Sequence, residues 1–143
     1  MPATAAASRT LLGFDHGRLR IGVAVGQELT GTARPLVTLA ARQQRPDWEG
    51  IGRLIEEWHP QLLVVGLPRH ADGSDSDSTR AARRFANQLQ GRFRLPVECI
   101  DERLSSREAE ARLREEHHRS PRPGELDRLA AALILESWFN RSG

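Results

Sequence analysis

The chain contains no lysine, a single cysteine and no long apolar run. With Cys99 as its one cysteine, it can form neither an internal disulfide nor a cysteine-based metal site. Its longest apolar runs, Leu62–Leu67 and Leu129–Leu135, are too short to span a bilayer. The opening Met1–Ser8 lacks the basic start and apolar stretch of a secretion signal. These absences predict a cytoplasmic protein with no membrane partner.

Positive charge is present in one chemical form. All 21 basic residues are arginines, and the net charge is only +2. The planar guanidinium of arginine suits bidentate contacts with phosphate groups. A GC-rich coding sequence would also favour arginine over lysine, and we expect that it explains most of the lysine deficit. The charge is therefore compatible with a nucleic-acid ligand but does not establish one.

The hydrophobic pattern predicts nine elements in the order β-β-β-α-β-α-β-α-α. A tight turn at Asp15–Arg18 joins the first two strands into a hairpin. Pro46 and Asp47 start the first helix, and Ser105 starts the third with capping-box spacing. The strands are expected at Thr10–Phe14, Arg20–Val25, Leu36–Leu39, Leu62–Leu67 and Val97–Ile100.

This order predicts an α/β fold with one mixed five-stranded sheet and helices on both faces. A three-strand antiparallel meander comes first, and the β-α-β units that follow require parallel strands. Leu62–Leu67 is apolar at nearly every position, so we expect it to be buried at the centre of the sheet. Residues 1–143 are expected to form a single domain, with residues 1–9 as a frayed terminus.

Four acidic residues are placed where the predicted topology forms a site. Asp15 follows the first strand, Asp101 and Glu102 follow the last, and Asp127 lies in the first turn of the last helix. Sites in open α/β sheets form beyond the carboxyl ends of the strands. Carboxylates that converge there repel one another unless cations bind, and hard oxygen ligands favour Mg²⁺ or Mn²⁺. Two such ions can promote hydrolysis of a phosphodiester.

Each acid also has a simpler interpretation. Asp15 is equally consistent with a turn residue, and Asp127 with an acid that favours the helix dipole. Glu102 could pair with Arg103 or Arg107. From the residue pattern alone, a joint metal site is one of several alternatives.

Four motifs, in order, resemble those of the YqgF/RuvX family of Holliday-junction-resolvase-like proteins. The stretch from Phe14 to Ala24 matches an Asp-x-Gly-x-x-x-Ile-Gly-Val-Ala motif. Val65–Pro68 followed by Asp72 and Gly73 resembles the second motif, and Asp101–Ser105 resembles an Asp-Glu-Arg-x-Ser/Thr motif. The last motif is carried by Asp127, Ala130, Ala131, Ile134 and Leu135.

The resemblance implies an RNase H-like fold, Mg²⁺ or Mn²⁺ as cofactor, and a nucleic-acid substrate. The family's acidic site carries over to Asp15, Glu102 and Asp127, as catalytic and metal-binding residues. Asp101 is a possible further ligand, since strand alternation lets only one of two adjacent side chains face the site. The residues expected to contact nucleic acid are Arg20, Arg34, Arg103 and His70. His70 stands where the family usually has Asn, which leaves its effect open.

Three functions fit this sequence. The first is a metal-dependent endonuclease that matures pre-16S rRNA, with RNA and pre-ribosomal particles as partners. The second is a nuclease selective for Holliday junctions or other branched DNA, and the third is a nucleic-acid or ribosome-binding protein without catalysis. RNA is favoured by the family's description, while a monomer and a homodimer both remain open.

Overall fold

A computed structural model describes residues 9–43, 45–102, 105–117 and 122–141, with backbone only for 105–110. The predicted frayed terminus therefore lies outside the described residues, apart from Arg9. The strands are β1 (Thr10–His16), β2 (Arg20–Gln27), β3 (Thr32–Ala40), β4 (Leu62–Pro68) and β5 (Val97–Glu102). The helices are α1 (Trp48–Trp58), α2 (Asp77–Phe93), α3 (Ser105–His117) and α4 (Glu125–Asn140).

The five strands form one mixed sheet in the order β3-β2-β1-β4-β5. Strand β2 pairs antiparallel with β1 and β3, whereas β4 pairs parallel with β1 and β5. The predicted element order, meander and parallel pairing are confirmed. Leu62–Leu67 is completely buried, as its apolar sequence predicts. The middle strand, however, is β1, with β4 beside it.

Strand β3 begins four residues earlier than the sequence predicts. Pro35 lies within it, although proline cannot donate a hydrogen bond to a neighbouring strand. Two features accommodate the proline. β3 is an edge strand, and its register against β2 shifts at this point, where Val23 pairs with Val37 but Ala24 pairs with Pro35. Leu36 is thus the extra residue of a β-bulge.

The sheet has a hydrophobic core on each face. Helices α1 and α2 cover one face, where Phe14, Ile51 and Phe85 are fully buried. Helices α3 and α4 cover the other, where Leu129–Leu135 of α4 is buried at every position. A helix buried on all sides belongs to the interior of a fold. Among the described residues, no helix is long and apolar enough to cross a membrane.

Candidate active site

Two acids meet at the carboxyl ends of β1 and β5. Asp15 is the second-to-last residue of β1, and Glu102 is the last residue of β5. Both strands run two residues further than the sequence predicts. Both lie on the α4 face of the sheet. Their side chains share a hydrogen bond. The Glu102 carboxylate also lies against Gly66, since Oε2 is 3.0 Å from where a Cβ on that glycine would be.

This pairing alters the ionisation of Asp15. Burial raises the pKa of its carboxyl well above the ordinary value, and the charge of Glu102, the hydrogen bond to Glu102 and the charge of Asp127 raise it further. All these effects disfavour the ionised form of Asp15. In the absence of a cation, the Asp15–Glu102 pair therefore holds a proton at pH values where isolated carboxyls are ionised.

Asp127 reaches the same edge because α4 lies unusually close to β2. A Cβ on Gly22 would lie 1.9 Å from the backbone oxygen of Asp127 and 2.2 Å from its carbonyl carbon. No side chain fits there, so only glycine allows this approach. Gly22 also pairs with Asp15 across the β1–β2 hairpin. One glycine thus allows α4 to begin over β2, directly beside the residue of β1 that is the first acid.

Arg20 lies between the acids and the hairpin turn. Its Nε donates to Oδ2 of Asp127 at 2.7 Å, and about half of the arginine side chain is exposed. A cavity of about 520 Å³ opens here, lined by Gly17, Arg18, Leu19, Arg20 and Asp127. A predicted phosphate-binding residue is thus beside the predicted acids, where it neutralises one of them.

Asp101 points away from Asp15. Its Oδ1 accepts a 2.7 Å hydrogen bond from Nε of Arg69, and Arg69 also pairs with Asp75. Asp75 in turn pairs with Arg83 of α2. Of the two adjacent acids at the end of β5, Glu102 is therefore the one that faces Asp15. Asp101 instead anchors the turn after β4 through Arg69.

The remaining predicted nucleic-acid contacts are Arg34, His70 and Arg103. Arg34 pairs with Val25 near the far end of β2, and its guanidinium carbon lies 5.4 Å from the ring centre of Trp58. The expectation that Arg34 lies near the site is wrong, because β2 runs away from the edge that carries Asp15 and β3 begins at the opposite end of β2. His70 is exposed in the turn after β4, where its backbone N–H donates to Ser74 at 3.0 Å. Arg103 lies outside the described residues.

The donor chemistry of the three acids suits a hard divalent cation, since every ligand atom is a carboxylate oxygen. Their arrangement, however, is not that of a closed metal site. Among the described residues, no three His, Cys, Asp or Glu side chains are grouped so as to hold a metal ion. Asp127 is bonded to Arg20 and would have to exchange this guanidinium partner for the cation.

A family model described as RuvX, Holliday junction resolvase, matches residues 9–141. The chain belongs to this family. Relatives from Proteus mirabilis and Chromohalobacter salexigens are 50% and 53% identical, each over 135 residues. The aligned region covers 94% of this chain in both cases, and 97% and 91% of the respective relatives. Both bear the name "Putative pre-16S rRNA nuclease".

The fold of this RuvX-family chain resembles that of solved resolvases. The structure of Thermus thermophilus RuvC in complex with a Holliday junction substrate superposes with a TM-score of 0.52 at 21% identity. The match covers 94% of this chain and 96% of that one. At this identity the likeness concerns the fold, which is RNase H-like, as the family resemblance predicts.

Two residues that shape the site were not predicted from the sequence. Arg69 directly follows β4, so the rule that sites form beyond strand ends would have included it. Gly22 lies in the first family motif, but its role depends on contact with a helix about a hundred residues later. The small residues Ala130 and Ala131 indicate close packing of α4, yet no pattern in the sequence identifies Gly22 as the contact point.

Proposed function

We propose that the protein is a divalent-metal-dependent endonuclease that hydrolyses phosphodiester bonds in precursor 16S rRNA. The observation that carries this proposal is the pairing of Asp15 with Glu102 at the sheet edge to which α4 brings Asp127. Buried acids that repel one another lower stability, and they are retained where they perform chemistry. Membership of the RuvX family and the name of its half-identical relatives support the reaction class and the RNA substrate.

The proposed roles follow from position. Asp15, Glu102 and Asp127 hold Mg²⁺ or Mn²⁺ through carboxylate oxygens. When bound, such ions activate a water and stabilise the departing oxygen of a phosphodiester. Arg20 changes partner from Asp127 to a substrate phosphate, since its exposed guanidinium can donate to either. Asp101 has no metal-binding role in this scheme, because it lies on the opposite face of β5 from Glu102 and points away from Asp15.

Branched DNA is the second candidate substrate. The family model that matches this chain is described as a Holliday junction resolvase, and the same acids would serve either nucleic acid. Distinguishing RNA from DNA requires contacts to the 2′-hydroxyl, which the acids do not provide. We favour RNA because the relatives that are about half identical to this chain are named as nucleases of pre-16S rRNA. We also propose that the protein acts in the cytoplasm, where ribosomal precursors are found.

One experiment separates these functions. Purified protein is incubated with precursor 16S rRNA and, separately, with a four-way DNA junction, in Mg²⁺, in Mn²⁺ and in EDTA. We expect defined cleavage of the RNA with either metal and none in EDTA. Preferential cleavage of the junction would favour a DNA nuclease. Binding of RNA without cleavage under every metal condition would contradict catalysis and favour an adaptor.

The metal requirement should depend on pH. Below the raised pKa of Asp15, the Asp15–Glu102 pair holds a proton that a cation must displace. The Mg²⁺ concentration for half-maximal cleavage should therefore be severalfold lower at a pH above that raised pKa than at a pH below it. Asp101→Asn, which alters an adjacent carboxyl bonded to Arg69, should show the same dependence. Equal Mg²⁺ requirements at both pH values would contradict the proposed ligands.

A further inference from the structure

A cavity lined by arginines lies on the opposite face of the sheet from the acids. This basic groove is a cavity of about 480 Å³ beside α2, and its rim carries Arg18, Arg45, Arg84 and Arg92. No Asp or Glu among the described residues lines it. The neighbouring cavity beside α1 differs, because Asp47 and Glu49 line it together with its arginines.

The arginines of the basic groove are not paired directly with acidic side chains of the described residues. Within the described part of the chain, none of its four arginines forms a salt bridge within 4.0 Å. Other arginines of α2 behave differently, since Arg80 pairs with Asp77 and Arg83 pairs with Asp75. Four guanidinium groups around one cavity repel one another, and an anionic ligand would relieve that repulsion.

An aromatic stack holds part of the groove in place. The guanidinium carbon of Arg92 lies 4.4 Å from the ring centre of Trp48. Trp48 stacks on Phe85 at 5.6 Å with an interplanar angle of 21°, and His16 lies 4.8 Å from Phe85. A guanidinium that rests on a ring is ordered before a ligand arrives, which reduces the entropy lost on binding.

The groove is adjacent to the candidate active site along the chain. His16 directly follows Asp15 in β1, and consecutive strand residues face opposite sides of a sheet. The β1–β2 turn joins the two sides, with Arg18 lining the groove and Arg20 bonded to Asp127. A ligand that crosses this turn would contact the basic groove on one side and the acids on the other.

We propose that the basic groove binds the phosphate backbone of the nucleic-acid strand beyond the bond that is cleaved. This inference rests on the nuclease function proposed above and names a contact surface for its substrate. Cations spread around a cavity of this size suit successive phosphates of a polynucleotide better than one small anion. The groove offers guanidinium donors rather than a pattern for reading base edges, so its contribution is independent of sequence.

The test measures binding rather than cleavage. A fluorescein-labelled single-stranded oligoribonucleotide is titrated with wild-type protein and with the Arg84→Gln/Arg92→Gln variant in EDTA, at several KCl concentrations. We expect the dissociation constant to rise about tenfold in the variant. The slope of its logarithm against log salt should fall by about 1.4, since each single-strand phosphate contact contributes about 0.7.

Arg83→Gln is the matched control, because it removes one guanidinium charge from α2 at the residue just before Arg84. Arg83 pairs with Asp75 and does not line the groove. This control should bind within about twofold of wild type. Arg84→Gln alone, which leaves Arg92 on the aromatic stack, should weaken binding about threefold and decides the question if the double variant fails to fold. Unchanged binding in the groove variants, or an equal loss in Arg83→Gln, would overturn the proposal.

EDTA separates this proposal from the nuclease function. Binding is measured without the metal that cleavage requires, so a loss in the groove variants supports the groove whatever the acids do. Failure of the nuclease function would instead appear as cleavage that survives Asp15→Asn, with the binding results unaffected.

Discussion

Gly22→Ala is expected to destabilise the protein by about 3 kcal/mol or more and to abolish cleavage. The added Cβ would lie 1.9 Å from the backbone oxygen of Asp127, so α4 would have to move away from β2. A flexible side chain could rotate aside, but a helix backbone whose other face is packed cannot. The same movement withdraws Asp127 from the other acids. Urea unfolding and cleavage, measured on the same preparation, test both effects.

Gly91→Ala is the matched control for this substitution. Gly91 lies within α2, and a Cβ there meets no described atom within 4 Å. Alanine is a better helix former than glycine, so this variant should gain about 0.5–1 kcal/mol and cleave normally. If Gly22→Ala unfolds at the wild-type urea concentration, the close approach of α4 to β2 is incorrect.

Asp15→Asn is expected to reduce cleavage on the order of 10³-fold or more while it stabilises the metal-free protein. Asparagine keeps the size of the side chain but cannot ionise. The substitution also removes the repulsion by Glu102 and the cost of burying a charged group, which are the effects that raise the pKa of Asp15. RNA affinity should be unchanged or slightly tighter, because the local negative charge falls.

The sign of the stability effect depends on pH. A carboxyl whose pKa is raised by folding destabilises the folded state as pH rises from its ordinary pKa, near 3.8, through the raised value. In EDTA, Asp15→Asn should therefore melt a few degrees above wild type at neutral pH, and this difference should disappear in acid. Asp101→Asn should show neither effect, since the Asp101 side chain contacts Arg69 and not Glu102. A lower melting temperature for Asp15→Asn at neutral pH would refute the electrostatic argument.

The sequence predicted the fold well because each element has a strong local pattern. Leu62–Leu67 is apolar nearly throughout and forms a buried strand, and Asp47 caps α1 by accepting from the Gly50 N–H at 3.0 Å. The start of β3 was missed because a proline usually ends a strand, and only its edge position and bulge explain the exception.

The candidate site was predictable as a set of acids but not as a set of contacts. Strand alternation lets only one of Asp101 and Glu102 face the site, the family resemblance favoured Glu102, and in the structure Glu102 faces Asp15. The pair of Arg20 and Asp127 joins residues 107 positions apart, which no local pattern indicates. The basic groove was missed for the same reason, since its arginines come from the β1–β2 turn, the segment before α1, and α2.

The most direct test of the central claim replaces one oxygen of the scissile phosphate with sulfur, once the cleaved bond has been mapped. Sulfur is a soft ligand that Mg²⁺ binds poorly and Mn²⁺ tolerates better. If Asp15, Glu102 and Asp127 hold the cation against this phosphate, one sulfur isomer should be cleaved slowly in Mg²⁺ and restored by Mn²⁺. Asp15→Asn should abolish that restoration. Equal cleavage of both isomers in either metal, or cleavage that continues in EDTA, would contradict the proposed metal-dependent site.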